Sequence, residues 1–168
     1  RGVGALANIV QDTFKSTLPR IILDYKPNDD TTFYVSYSEG RLPGLFNPSL
    51  LALSDSELAS LKEETGGSGV RIDEEEAENI ELGLKRTILD GRGFISVAYY
   101  TTDLTNVHTP LFAVSYMGDD GTQQILSGNT TTQAGNAELD GIELDGRIII
   151  NDNLAIGFTY AINNSEIG

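Results

Sequence analysis

An all-β fold of antiparallel strands, with one short helix in a long loop, is predicted by two features of the chain. Three tight polar turns, Pro27-Asn28-Asp29-Asp30, Asp90-Gly91-Arg92 and Asn151-Asp152-Asn153, each join two stretches of alternating apolar and polar residues. Long irregular segments fill the gaps between those hairpins. Connections that are short at one end of a sheet and long at the other are the loop plan of a large transmembrane β-barrel. Soluble β-sandwiches share that plan, so the two sheet faces have to separate the readings.

In residues 18–26 the row Ile21, Leu23, Tyr25 faces one side, and Arg20, Ile22, Asp24, Lys26 face the other. After the first turn, Phe33, Val35 and Tyr37 oppose Thr32, Tyr34, Ser36 and Ser38. In 77–89, Ile80, Leu82, Leu84 and Ile88 oppose Asn79, Glu81, Gly83, Lys85 and Thr87. The strand that starts at Gly93 alternates Ile95, Val97, Tyr99 with Phe94, Ser96, Ala98, Tyr100. In the fifth, Ile142, Leu144, Ile148 and Ile150 oppose Glu143, Asp145 and Arg147. The last sets Leu154, Ile156, Phe158, Tyr160, Ile162 against Ala155, Gly157, Thr159, Ala161, Asn163. Alternation of period two marks strands that are apolar on one face only.

The polar face mixes charges of both signs with Gly, Ala, Ser and Asn. Glu81, Lys85, Glu143 and Arg147 are therefore read as lumen-facing charges that a wide barrel could pair. Tyr25 and Phe33 flank the first turn and Phe94 follows the second, which suggests an interfacial aromatic girdle. An ordinary half-buried antiparallel sheet fits the same alternation. Two residues interrupt the apolar rows. Arg86 lies close enough to its turn for the guanidinium to snorkel, and Asp145-Gly146 reads alternatively as a hairpin turn.

Composition narrows the function. The chain has 168 residues, 39% hydrophobic, with 18 Gly and a net charge of −14. Such acidity excludes displacement of counterions from nucleic acid and docking on an anionic membrane through a basic patch. Cys is absent, so there is neither a disulfide framework nor a thiolate site. No stretch approaches a membrane helix, and Arg1 to Val10 lack a secretory-signal pattern. The pattern reads as a piece of something larger.

The loop from Gly40 to Asp73 is long for a compact domain. Within it, Ser54 and Glu57 form a capping box, Leu58 and Leu61 share a helical face, and Gly66 ends a helix over 54–64. Gly66-Gly67-Ser68-Gly69 then reads as a loose tether. The second long connection spans about Pro110 to Gly135, with Gly118-Asp119-Asp120-Gly121 as its sharpest turn signal.

Residues 18–47 resemble a stretch of the barrel of TonB-dependent outer-membrane receptors. The likeness is carried by Pro19-Arg20-Ile21, Asp24-Tyr25-Lys26-Pro27, Tyr34-Val35-Ser36-Tyr37-Ser38 and Glu39-Gly40-Arg41-Leu42-Pro43-Gly44. Glu78-Asn79-Ile80-Glu81-Leu82-Gly83-Leu84-Lys85 continues it, as do Ala98-Tyr99-Tyr100 with Asp103, and Asn136-Ala137 leading to Gly141-Ile142-Glu143-Leu144-Asp145. The match runs from about Leu18 to Tyr160. It departs at Leu45, where the family often has a second Gly, and at Asp145, where Glu is common. The resemblance implies residence in the bacterial outer membrane and a barrel of about 22 strands filled by a plug.

It further implies capture of a scarce solute by outer loops and import driven by TonB. The solute would be a small molecule or metal complex of siderophore, cobalamin or oligosaccharide type. Residues 1–168 would then be a partial barrel domain lacking the plug and the C-terminal strands. Six strands are fewer than the bacterial minimum of about eight. Partners would be outer-membrane lipid, the receptor's own plug, TonB and the solute, with no cofactor and no nucleic acid. Arg41, Phe46 and Asn47, where the second strand emerges, are the candidates to touch solute or plug.

Each remaining candidate has a plainer reading. Asp73-Glu74-Glu75-Glu76 with Glu78 has the carboxylates of a Ca²⁺ site but not the loop spacing, and reads as a solvated loop end. His108, the one histidine, has no second His or Cys to build a metal site and reads as a surface residue. Neither a nucleophile elbow nor a phosphate loop is present, and Asn129-Thr130-Thr131 matches a glycosylation sequon without meaning in a bacterium. An enzyme is not expected. The competing hypotheses are a soluble secreted β-sandwich or adhesin-like binding module, with its apolar rows buried, and a glycan-acting β-protein using its acids.

Overall fold

The computed structural model describes residues 11–133 and 135–168. The stretch Arg1 to Val10, read for a signal pattern, lies outside the described residues. In chain order the strands are β1 (Arg20–Asn28), β2 (Thr31–Leu42), β3 (Leu45–Phe46), β4 (Arg71–Ile72), β5 (Glu75–Ile88) and β6 (Gly93–Thr105). They continue with β7 (Thr109–Met117), β8 (Gln123–Thr132), β9 (Ala137–Asn151) and β10 (Leu154–Ile167). A 3-10 turn, Pro48–Ala52, and helix α1, Asp55–Thr65, lie between β3 and β4.

The chain divides into two units. Among the described residues, the sheet unit comprises Leu18–Gly40, Ala77–Leu104 and Ala137–Gly168, and the loop unit comprises 11–17, Arg41–Glu76, 105–133 and 135–136. The sheet is six-stranded, in the order β1-β2-β5-β6-β9-β10. All six strands predicted from alternation are present, and the tight turns are where the polar clusters stand. Asn28 Oδ1 accepts the Asp30 amide at 3.1 Å, and Asn151 Oδ1 accepts that of Asn153 at 2.9 Å. Each is an Asx turn that gives the reversing backbone a local acceptor. The middle turn is left-handed through Leu89, Asp90 and Gly91, at φ 56, 52 and 87°.

Register confirms the two faces. Ile21↔Tyr37, Leu23↔Val35 and Tyr25↔Phe33 lie on one side of β1–β2, as do Val97↔Leu144 and Tyr99↔Ile142 of β6–β9. Those rows are open to solvent: Leu23 is 68% exposed, Tyr160 60% and Ile156 55%. A sandwich would bury them, so the soluble-sandwich reading is corrected. A face of this kind belongs against a partner or a lipid phase, because soluble monomers rarely expose large contiguous apolar patches. The strands have the length for a bilayer: they run from 9 to 15 residues, against the 9–11 or so that a tilted crossing needs.

Two local expectations change. Phe94 lies on the polar face opposite Arg147, so the girdle rests on Tyr25 and Phe33, which stack with centroids 6.5 Å apart. Asp145-Gly146 is no turn, since β9 runs straight through it. Gly146 leaves room for the Phe158 ring, which would stand 2.6 Å from a Cβ placed there.

The loop unit has its own small core. Leu50, Leu61 and Val114 are buried together, with Leu53, Leu58, Val70, Leu111, Tyr116 and Leu126 packed around them. Helix α1 forms as its caps predict: Ser54 Oγ accepts the Glu57 amide, the Glu57 carboxylate accepts the Ser54 amide, and Gly66 closes the C-terminus at φ 69°. Leu58 and Leu61 then point one helical face at the core. The β7–β8 hairpin was not anticipated. A register shift between Leu111 and Ala113 breaks the alternation of β7, and β8 is mostly Gln, Ser, Thr and Asn.

Substituting Gly146→Val should force the Phe158 ring off the strand and destabilise the sheet by roughly 1–3 kcal/mol, the usual cost of overpacking. Denaturant titration of the folded protein measures this. Gly91→Ala, at φ 87° with open space around it, should cost no more than about 1–2 kcal/mol of left-handed strain.

Candidate functional site

The loop unit is assembled from both long connections, and polar links fasten them together. Asn47 is the centre of one such group. It is 3% exposed, and its Nδ2 donates to the carbonyls of Gly69 and Thr131, each at 2.8 Å. Its Oδ1 accepts the Thr131 amide at 2.9 Å. One side chain thus supplies β-ladder bonds to β8 and ties down the segment before β4. Ser68 in that segment is 1% exposed, and its hydroxyl donates to the Thr131 carbonyl at 3.3 Å. The predicted loose tether is instead held.

A second link joins the start of α1 to the β7–β8 turn. The hydroxyls of Ser54 and Ser56 donate to Asp119 Oδ1, at 2.8 and 2.5 Å. Those two hydrogen bonds favour the ionised form and hold the Asp119 carboxyl below its usual range. The turn itself closes with Gly121 N on the Gly118 carbonyl at 2.9 Å. Here the sequence signal was correct about the turn and silent about what it joins.

The acidic run is not a bare solvated end. Arg41 pairs with Glu76 and stands 3.9 Å from Glu74, and Arg71 pairs with Asp73 and Asp12. The Glu75 carboxylate accepts the His108 amide at 2.9 Å. No group of three metal-ligating side chains occurs among the described residues. His108 is half-buried rather than superficial. Its Nε2 meets the Asp73 carbonyl at 2.7 Å, and a carbonyl only accepts, so Nε2 carries the proton. Phe46 is half-buried on β3, opposite Arg71.

On the polar face of the sheet unit, Glu81 and Lys85 converge on Tyr34. The Tyr34 hydroxyl donates to Glu81 Oε1 at 2.5 Å, and Lys85 Nζ stands 4.9 Å from the ring centroid. Glu143 lies between Ala98 and Ala161, and Arg147 between Phe94 and Gly157. No ion pair joins these four charges among the described residues. Arg86, near the end of β5, borders an open depression of about 470 Å³ with Asp29, Asp30 and Lys85. Its charge therefore has acidic, solvated surroundings.

Asn47→Ala would remove the Asn47 bonds to the Thr131 amide and the Gly69 carbonyl and leave the Thr131 carbonyl with the Ser68 hydroxyl alone, a loss of about 1–3 kcal/mol for a buried unsatisfied group. Faster hydrogen exchange should follow in 68–71 and 129–132, with β9–β10 amides unchanged. The Asp119 link has a pH signature. Because its folded pKa is depressed, its contribution is complete above the unfolded value of about 3.9 and is lost as pH falls through the folded value. Exchange at the start of α1 should therefore rise only in acid, and Asp119→Asn should abolish that dependence.

Comparison with known proteins fits this geometry. The family model described as TonB dependent receptor-like, beta-barrel matches residues 2–168. Among solved structures, the alcaligin outer membrane receptor FauA from Bordetella pertussis is 25% identical, at TM-score 0.53, over 89% of this chain and 22% of its own. The ferric-catecholate import receptor Fiu from E. coli K12, in its closed form, is 20% identical at TM-score 0.54, over 88% of this chain and 18% of its own. The chain thus spans about a fifth of each of these receptors. No curated protein matches it. The chain belongs to the β-barrel family of TonB-dependent receptors, proteins of the bacterial outer membrane.

Proposed function

We propose that this chain is a stretch of barrel wall and outer loops in a receptor that imports a scarce solute across the outer membrane. The observation that carries the reading is a sheet with two unlike faces, exposed aliphatic rows on one and Glu81, Lys85, Glu143 and Arg147 on the other. Residues 1–168 form part of a barrel domain. β1 and β10 are the two edges of the sheet, and open edges need further strands to satisfy their backbone groups within a membrane. A plug fills such a barrel, and TonB acts on it to supply the energy. No covalent chemistry is involved.

The three short turns sit at the periplasmic rim, so the long connections leave the opposite strand ends, outside the cell. Solute is captured there. In this arrangement Arg41 and Phe46 contact solute or plug, while Asn47 holds the surface on which they stand. The solute is a metal complex of siderophore type, cobalamin or an oligosaccharide. FauA's description as an alcaligin receptor, at 25% identity, puts alcaligin-like solutes first in the order of testing.

Two measurements test the proposal. The receptor carrying this chain should fractionate with outer membranes and require detergent for extraction; recovery as a soluble monomer would end the reading. A deletion strain should then lose growth on one limiting nutrient among iron complexes, cobalamin and oligosaccharides, and regain it with the intact gene. Rescue that persists without TonB would dismiss the energised mechanism while leaving the barrel intact.

A further inference from the structure

The sheet contains two kinds of strand pairing. β1–β2, β5–β6 and β9–β10 are hairpins, and in a hairpin the turn fixes the register. β2–β5 and β6–β9 are neighbours joined only through the long connections, so no turn counts residues between them. The two unlike faces forbid a slip of one residue, which would turn every side chain over. They do not forbid a slip of two, which returns each side chain to its own face. Something else has to choose among the registers that keep the faces.

At both of these pairings an aromatic side chain occupies the place of a missing glycine side chain. In β2–β5 the Tyr34 ring lies so close on Gly83 that a Cβ there would overlap it. Glu81 and Lys85 flank Gly83 on the same face and hold the ring from either side, by a hydrogen bond of 2.5 Å and a cation–π contact of 4.9 Å. In β6–β9, Tyr100 faces Gly141, and Gly141 in turn faces Asn163 of β10. The Tyr100 hydroxyl donates across Gly141 to Asn163 Oδ1 at 2.8 Å. A Cβ at 141 would stand 2.8 Å from that hydroxyl and 2.7 Å from Asn163 Oδ1. The three-strand link exists only while residue 141 has no side chain.

We propose that these two aromatic–glycine joints set the register of the strand pairings that have no turn. A slip of two residues at β6–β9 would carry Tyr100 onto Leu139 or Glu143 and break its bond to Asn163. At β2–β5 it would drive the Tyr34 ring onto Glu81 or Lys85. The shape of the glycine notch, rather than the hydrophobic pattern, rejects these alternatives.

The chain contains no Cys, so pairs introduced into it report register directly within outer membranes, in the intact receptor with any Cys outside this chain replaced by Ser. Ser96→Cys with Asp145→Cys tests the native register, in which those residues face each other. Ser96→Cys with Glu143→Cys or Arg147→Cys tests the slipped ones. Facing antiparallel residues lie about 4.5–5.5 Å apart at Cα, inside the disulfide span of about 4.4–6.8 Å; pairs displaced by two lie outside it. Tyr100→Ala and Gly141→Val should each raise the ratio of slipped to native cross-link by up to about fivefold, the upper range for one cross-strand pair. Tyr100→Phe, which keeps the ring and loses the bond to Asn163, should give a smaller rise.

Tyr99→Ala removes a ring from the other face of the same strand, opposite Ile142 rather than glycine, and should leave the ratio unchanged. An unaltered ratio in both Tyr100→Ala and Gly141→Val would overturn the proposal. So would an equal rise, or an equal loss of inserted protein, in Tyr99→Ala. Loss of insertion in Tyr100→Ala with normal insertion of Tyr99→Ala supports it.

Discussion

Period-two alternation is the constraint on which the rest of this structure depends, because each strand of the sheet has to meet two unlike surroundings at once. Consecutive side chains leave opposite faces, so Leu144 and Asp145 belong to different faces although they are neighbours in the chain. The aliphatic rows gain nothing from each other across a core. In the proposed barrel wall they are stable in place because lipid is no less apolar than a protein interior, and because the backbone polar groups are consumed by the ladder. This explains why the composition is poorer in hydrophobic residues than a globular domain of similar size. Only one face of the sheet has to be apolar, and the other carries charge.

The loop unit follows the opposite rule. It has an inside, built around Leu50, Leu61 and Val114, and its polar groups are arranged to serve that core. Asn47 is the clearest case. A buried amide is costly unless all its bonding groups are met, and here both the donor and the acceptor find backbone partners on two separate segments. The serine pair on Asp119 and the carboxylates around Arg41 are more exposed, and ion pairs of that kind contribute little individually. Their role is to fix which segments lie together. Two long connections joined in this way form one ordered surface rather than two independent flaps, and if that surface captures solute as proposed, ordering it before binding lowers the entropy cost.

Much of the sheet was legible because alternation and turn chemistry are local. Asn28, Gly91 and Asn151 announce reversals within a few residues, and the rows between them announce faces. The helix was legible for the same reason, since Ser54, Glu57 and Gly66 act within one turn of their own positions. What could not be read depends on contacts far apart in sequence. Nothing near Asn47 says that Thr131 will complete its hydrogen bonds, and a polar residue at a strand exit looks like a ligand contact before it looks like a clamp. His108 appeared superficial because its partners, Asp73 and Glu75, stand in a different connection. The β7–β8 hairpin was hidden by its bulge and by polar residues, whose pairing is satisfied by backbone rather than by an apolar row.

Glycines on the rows, which look like defects in an alternating pattern, gain a physical meaning from the same constraint. In a soluble sandwich, side chains from a second sheet interdigitate with the first and oppose any sliding of its strands. A barrel wall of the kind proposed, with lipid on one face and water on the other, has no such facing layer. Resistance to sliding must then come from within the sheet, from side chains that cross to the neighbouring strand. A large ring can do so without strain only where the neighbour is empty, as at Gly146 beneath Phe158 on the apolar face and at Gly83 beneath Tyr34 on the polar one. Paired with an aromatic across the ladder, each apparent gap in the pattern is a point of lateral grip.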